Sequence, residues 1–450
     1  MTNRRKFMRD LLVAGGALGA LGGVSGIARL VSAGGTTVPH RHYVFAYFGG
    51  GWDVLLSLDP RDPASITPEE HRIGPDYDAL VGAPTNEVRT IGGVEVGPHL
   101  GMLTDHMDRL AIVRGMSMDT LTHEVGRRRF LTGKPPAGLS ARGSSAATWI
   151  SSRLGALDPV PHLAMGVETY NVDQPTFASA LRVGGAADLV RVFTPGTPLL
   201  APAQDDILQA FLASESLCDR SRHSPMLREA DESRERLAGM LESNLAGLFD
   251  IGRLDASVRD RFGVTGTNYS TPEAQSLVTY QALTNGVSRC VSMSANSETL
   301  DTHFTDWSQN QGPRQQRGFD AIARLVTELE ATPYAAEGFV ADGTTWLDHT
   351  TIIGFSEFSR TPIRNDRGGR DHWLGNSCFL IGGNVRAGVV GQSSNYGMEP
   401  QPVNLDTGAY DPAGEVIRPE HLLRTLMVDA GITADEADLR VDPVHALIPV

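Results

Sequence analysis

Thr350-Thr351-Ile352-Ile353-Gly354-Phe355 is a short β-branched and apolar run that ends on Ser356-Glu357-Phe358-Ser359-Arg360-Thr361-Pro362. Such a run reads as a strand buried in a sheet, and its end delivers a carboxylate, Glu357, to the strand's C-terminal side. A glycine-rich loop then leads to Gly369-Arg370-Asp371-His372-Trp373 and brings an adjacent Asp-His pair back toward the same place. Open α/β sheets do their chemistry beyond the C-terminal ends of their strands. Carboxylate and imidazole are also the side chains that hold divalent metals.

The rest of the chain repeats this grammar. Tyr43 to Phe48 reads as a strand that runs into Gly49-Gly50-Gly51-Trp52-Asp53, where glycines permit a sharp turn and Asp53 emerges. Residues 60–98 are rich in Pro, Gly and Asp and read as irregular. Leu100 to Leu110 has the spacing of a helix, Ala111 to Val113 that of a strand, and Thr122 to Leu131 that of a short helix with three arginines. Further helices are expected over Ser144–Leu154, Met226–Ile251, Pro272–Leu283, Arg317–Glu330 and His421–Ala430, and further strands over Arg289–Ser294 and 377–381. Strands alternating with helices predict an α/β fold with a mostly parallel central sheet. The charged helical stretch predicts a helical insertion at about 205–285.

The chain has 450 residues and a formal net charge of −14. An acidic body argues against nucleic acid and against anionic membranes as partners, though a local basic pocket can still take an anionic small molecule. Three cysteines, Cys218, Cys290 and Cys378, are too few for a disulfide framework and read as buried thiols. At the N-terminus, Arg4-Arg5-Lys6 precedes a Gly/Ala/Leu-rich stretch from Leu11 to Ile27, and Val31-Ser32-Ala33 offers small residues for cleavage. Residues 1–33 therefore read as a signal peptide of the twin-arginine type, which implies the twin-arginine export machinery as a partner and a periplasmic or secreted product beginning near Gly34. No other stretch is long and apolar enough to span a membrane stably.

Four acidic or histidine-bearing segments fall beyond expected strands: Asp53; Asp119 to Glu124; Asp301-Thr302-His303; and Glu357 with Asp371-His372. This order resembles the alkaline phosphatase-like superfamily, which includes sulfatases and phosphodiesterases. Pro98-His99-Leu100-Gly101-Met102-Leu103 is similar to a sulfatase segment, and His123…Arg127…Thr132-Gly133 has the spacing of the sulfatase nucleophile signature. Over the whole mature chain, 34–450, the Gly-Gly-Trp-Asp loop, the Asp-Thr-His segment and the Ser-Glu-Phe-x-Arg-Thr-Pro…Asp-His segment resemble the exported bacterial family known as domain of unknown function 1501.

The resemblance implies an alkaline phosphatase-like fold and a metal-dependent hydrolase of phosphate or sulfate esters. Its metal ligands would be drawn from Asp53, Asp301, His303, Glu357, Asp371 and His372. Its catalytic groups would be His123 or Thr122 as the attacking or assisting group and Arg127 as a charge balance. Zinc is the first choice of ion, with calcium, manganese or iron as alternatives. The substrate would be an anionic ester or a glycan.

Two departures stand out. Glu357-Phe358 occupies the place of an Asp-His pair, and Asp301 and His303 are two residues apart rather than four. On a strand, residues two apart share a face, so both can still reach one ion. A single-metal site and an altered pair are both open. The competing reading is a non-catalytic secreted protein that binds a glycan or a protein partner, favoured by the missing Ser or Cys at the nucleophile position. Plainer roles also exist: Asp53 as a turn or cap residue, Glu357 paired with Arg360 or Arg370, and Asp371 as an orienting group.

Overall fold

The structure is a computed structural model that describes residues 40–66, 72–82, 86–138, 140–194, 203–204, 206–207, 210, 245–336 and 339–448. The expected signal peptide, Cys218 and most of the Met226–Ile251 helix lie outside these residues. Eight strands form the main sheet: β1 (His42–Tyr47), β2 (Leu110–Ser117), β3 (His162–Met165), β4 (Leu181–Val183), β5 (Cys290–Ser294), β6 (Thr350–Phe355), β7 (Gly375–Gly382) and β8 (Gly388–Val390). Their order across the sheet is β8-β2-β7-β6-β1-β5-β3-β4.

All pairings are parallel except those of β7, which runs antiparallel to β2 and to β6. This one reversal matters for the site. Parallel strands deliver the residues after them to one edge of the sheet, whereas an antiparallel strand delivers the residues before it. Glu357 comes after β6, Asp301 after β5 and His123 after β2, while His372 precedes β7. All four therefore arrive at the same edge.

Side chains of β1 alternate between the two faces, as strand geometry requires. Val44 and Ala46 join the core under α3 (Pro272–Thr284) and α4 (Trp307–Ala331), with Leu277, Phe319 and Ile322. Tyr43, Phe45 and Tyr47 join the opposite core under α1 (His123–Thr132), α2 (Ala146–Leu154) and α5 (Pro419–Asp429), with Phe130, Ile150 and Leu422. Phe130 of α1 stacks on Phe355 of β6 at 4.1 Å between ring centroids. Burying each such side chain contributes roughly 1.5–3 kcal/mol, which pins α1 to the end of β6.

Several elements differ from the sequence expectation. Leu100–Leu110 is not an α-helix but a 3-10 helix over Gly101–His106. Gly101 sits at φ +61°, a left-handed conformation that an α-helix does not continue through. The helix expected over Arg317–Glu330 begins ten residues earlier, at Trp307, and carries Pro313 inside it. Of the helical insertion expected at about 205–285, the described part holds helices at Leu245–Phe249, Ala256–Phe262 and α3, and α3 packs on α4 and β5. Cys290 and Cys378 are buried free thiols, and burial pushes the Cys290 thiol up to about 12. Among the described residues no helix is long and apolar enough to cross a membrane.

Candidate metal centre

The turn after β1 makes room for the site. Gly50 has φ +109°, and a Cβ there would lie 2.4 Å from the Leu300 nitrogen, so only glycine lets the loop rest against the Asp301 segment. In return the Gly50 amide donates to Glu357 Oε1 at 2.9 Å. Gly126 plays the matching part in α1: a Cβ there would meet the Glu357 carbonyl oxygen at 2.5 Å. The helix thus lies directly on the Glu357 segment, and its first residue, His123, reaches over the carboxylate.

Three imidazoles meet one carboxylate oxygen. Asp301 Oδ1 lies 2.9 Å from His303 Nε2, 3.3 Å from His372 Nε2 and 3.4 Å from His123 Nε2. His303 Nε2 and His372 Nε2 are 3.0 Å apart. His123, Asp301 and His372 each offer a ligand atom within 4.8 Å of the others. Phe358 forms an aromatic floor, with centroids 4.7 Å from His123 and 4.3 Å from His372. Its fully buried ring stands where the resemblance led one to expect an imidazole.

The outer nitrogen of each imidazole faces an acceptor. His123 Nδ1 is 2.6 Å from Glu357 Oε1, His303 Nδ1 is 2.7 Å from Asp371 Oδ1, and His372 Nδ1 is 2.7 Å from the Leu121 carbonyl oxygen. A carboxylate and a carbonyl can only accept, so each neutral ring must carry its proton on Nδ1. Every Nε2 then turns a lone pair inward. His123 Nε2 is enclosed and has no hydrogen-bond partner among the described residues. Three lone pairs and a carboxylate oxygen at such distances repel one another unless positive charge lies among them. Arg360, which donates to Asp301 Oδ1 at 2.6 Å and to His303 Nε2 at 3.4 Å, supplies part of it at one side and leaves His123 Nε2 and His372 Nε2 facing the carboxylate. Histidine ligands held through their second nitrogen by a carboxylate or carbonyl are the usual support of a metal ion. The donor set therefore fits a divalent metal.

The charges respond accordingly. Burial alone would raise Asp301, but the Arg360 guanidinium and the imidazoles outweigh it and hold the carboxyl at about 2. Burial would also raise Glu357, yet the hydrogen bonds from His123 and from backbone amides bring it below its ordinary value. For His123, burial works against the charged ring but the Glu357 carboxylate prevails, and its pKa rises. Burial lowers His372, with the Arg360 charge adding to the effect.

Not every expected residue is in this cluster. Asp301 and His303 converge as expected, but from a loop beyond β5 rather than from a strand. Asp53 does not reach them: it is fully buried, its Oδ1 accepts from the Leu55 amide at 3.2 Å and its Oδ2 from Trp307 Nε1 at 2.8 Å. It is the cap of the 3-10 turn Val54–Leu56 and the partner of Arg370. Glu357 and Asp371 sit behind His123 and His303 as orienting partners. Arg127 is bound to Glu168 at 2.8 Å. Thr122 is exposed at the N-cap of α1, and its side chain makes no capping bond. His123, expected as an attacking or assisting group, turns its inner nitrogen toward Asp301 at 3.4 Å. Arg360, which sequence reading treated only as a possible partner for Glu357, bonds Asp301 Oδ1 at 2.6 Å from a fully buried position.

The match to the family described as Protein of unknown function (DUF1501) runs over residues 41–407, which takes in every residue of the cluster. The chain belongs to this family. Comparison with curated proteins finds no match. Among solved structures it is similar to the phosphonate monoester hydrolase of Agrobacterium radiobacter, at 15% identity and a TM-score of 0.25, over 87% of this chain and 74% of that one. A likeness that slight says nothing of chemistry.

Proposed function

We propose that the chain is an exported, metal-dependent hydrolase of phosphate or sulfate esters with an alkaline phosphatase-like fold. One observation carries the reading: three imidazole lone pairs converge on Asp301 Oδ1, each aimed by an acceptor behind its ring. His123, His303, His372 and Asp301 would hold the ion. A divalent ion there, zinc by the nitrogen-rich donor set, would polarise an ester oxygen and make water more acidic.

The chain's own residues do the rest. Glu357 and Asp371 fix the tautomers of His123 and His303, so no reorganisation is needed when charge develops. The cluster is open on one side: the Asp301 side chain is 36% exposed and the three imidazoles 20–26%, so a substrate can reach them. The N-terminus of α1 lies beside His123, and its free amides favour the anionic ester. Thr122 supplies an exposed hydroxyl at that point for the attacking role, failing which water attacks. Arg127, held by Glu168, is released from the charge-balancing role that spacing gave it. Export by the twin-arginine route rests on Arg4-Arg5 and the small residues at 31–33.

The test is a panel of phosphate and sulfate monoesters and diesters, run with metal-replete protein, chelator-treated protein and protein restored with zinc or manganese. Turnover that chelation removes and metal restores is expected, and Thr122→Ala should separate the hydroxyl from water as nucleophile. The absence of a Ser or Cys at the nucleophile position favours a second reading, a non-catalytic secreted protein binding a glycan or a partner protein. Metal-replete protein that holds its ion but turns over no ester would select it.

A further inference from the structure

We infer that this centre holds one metal ion rather than two, because the guanidinium of Arg370 occupies the place of a second cation on Asp53. The inference rests on the metal-centre reading above. Asp53 and Arg370 are both fully buried, with Arg370 Nε 3.2 Å from Asp53 Oδ2. The approach is not aligned as a hydrogen bond, so it acts as a charge contact. Arg370 is not free to leave. Its Nη1 donates to the Thr361 carbonyl at 2.8 Å, its Nη2 to the carbonyls of Gly74 and Pro75 at 2.5 and 3.1 Å, and its guanidinium lies 4.7 Å from the Trp307 ring centroid. Both Asp53 oxygens already accept hydrogen bonds, from Leu55 and from Trp307. A metal would have to break these and evict a buried cation that is tied at three carbonyls.

Arg360 closes the gap between the two carboxylates. It is fully buried, bonds Asp301 Oδ1, donates to the Gly51 carbonyl at 2.9 Å and the Arg370 carbonyl at 3.2 Å, and also bonds the Gly50 carbonyl. Its fixed positive charge acts on both Asp301 and Asp53, so a second cation between them would be repelled. The charge count points the same way. Asp53, Asp301 and Glu357 against Arg360 and Arg370 leave one negative charge. The rim pairs Asp371–Arg367 and Asp76–Arg364 cancel and do not alter it. One divalent ion brings the site to a single positive charge, suited to an anion. Two would bring it to three positive charges, with the second beside the fully buried Asp53 and Arg370, where uncompensated charge is strongly unfavourable.

The experiment counts ions. Protein from Gly34 onward is loaded with zinc, desalted and assayed for metal and protein, alongside Asp301→Asn and Asp53→Asn. One zinc per wild-type chain is expected, with the ion lost in Asp301→Asn and kept in Asp53→Asn. Two per wild-type chain would overturn the inference, as would loss of the ion in a folded Asp53→Asn. Should Asp53→Asn fail to fold, the electron paramagnetic resonance of manganese-loaded wild type decides: isolated ions are expected, and an exchange-coupled pair would refute it. No zinc and no manganese bound at all would instead bring down the metal-centre reading, and this inference with it.

Discussion

The two edges of the sheet carry the same kinds of residue and use them in opposite ways. At the edge where β1, β3 and β5 begin, His42, His162, Asp158 and Arg289 are all nearly fully buried. Each is matched locally: Arg289 Nε to Asp158 Oδ2 at 3.0 Å, His162 Nε2 to Ser292 Oγ at 2.9 Å, His42 Nε2 to the Tyr334 hydroxyl at 3.2 Å. At the edge where β1, β5 and β6 end, His123, His303, His372 and Asp301 are part-exposed and share one oxygen as their common neighbour. Histidines and carboxylates at strand ends are therefore not by themselves a site. Convergence on one point, with access from solvent, separates a place for a ligand from a place that holds the sheet together.

That contrast breaks first at Asp158. Asp158→Ala leaves the buried Arg289 charge without its carboxylate, and a loss of about 3–5 kcal/mol in unfolding free energy is expected. Metal affinity of the folded fraction should not change. Denaturant titration and metal binding on the same sample check both halves, and a loss of metal affinity would show that the edges are coupled.

The next effect belongs to the other edge. Asp371→Asn keeps the shape but weakens the hold on His303 Nδ1, so metal affinity should fall about 10–100-fold. Stability of the metal-free protein should barely move, because the Asp371 side chain is 42% exposed. Competition with a chromophoric chelator measures it. A change in metal-free stability with no change in affinity would give Asp371 a structural role instead.

The gentlest effect, spread over several pH units, is a pH slope. In the unfolded chain His162 takes up its proton near its ordinary value of 6.5, whereas burial holds it at about 3 in the fold. The folded pKa is the lower one, so the contribution to stability is complete above about 6.5 and is lost as pH falls toward about 3. The slope is at most about 1.4 kcal/mol per pH unit. Unfolding profiles of wild type and His162→Gln between those values should converge as the pH drops, and parallel profiles would contradict the assignment.

Much of this was legible in the sequence where the signal is local. The apolar run of β6 announces a strand with Glu357 beyond its end, and the Gly49–Gly51 turn marks the end of β1. Asp301, His303 and His372 meet as their positions beyond strands suggested. Partner choice was not legible. Nothing in the spacing tells that Asp53 faces Arg370 across 317 positions of chain while Arg360 faces Asp301, since both arginines flank the same loop. His123 occupies a helix start, and the close packing of Gly126 on Glu357 brings its ring onto that carboxylate, a contact that spacing does not reveal. β3, β4 and β8 were missed because three or four residues carry too little periodicity.

The central claim is that the imidazoles of His123, His303 and His372 with Asp301 form a metal centre. X-ray absorption at the zinc edge of the loaded full-length mature protein tests it most directly. The account predicts three nitrogen scatterers of imidazole type and oxygen, all at about 2.0–2.2 Å. Zinc bound only through oxygen, or through sulfur from a cysteine, would contradict it.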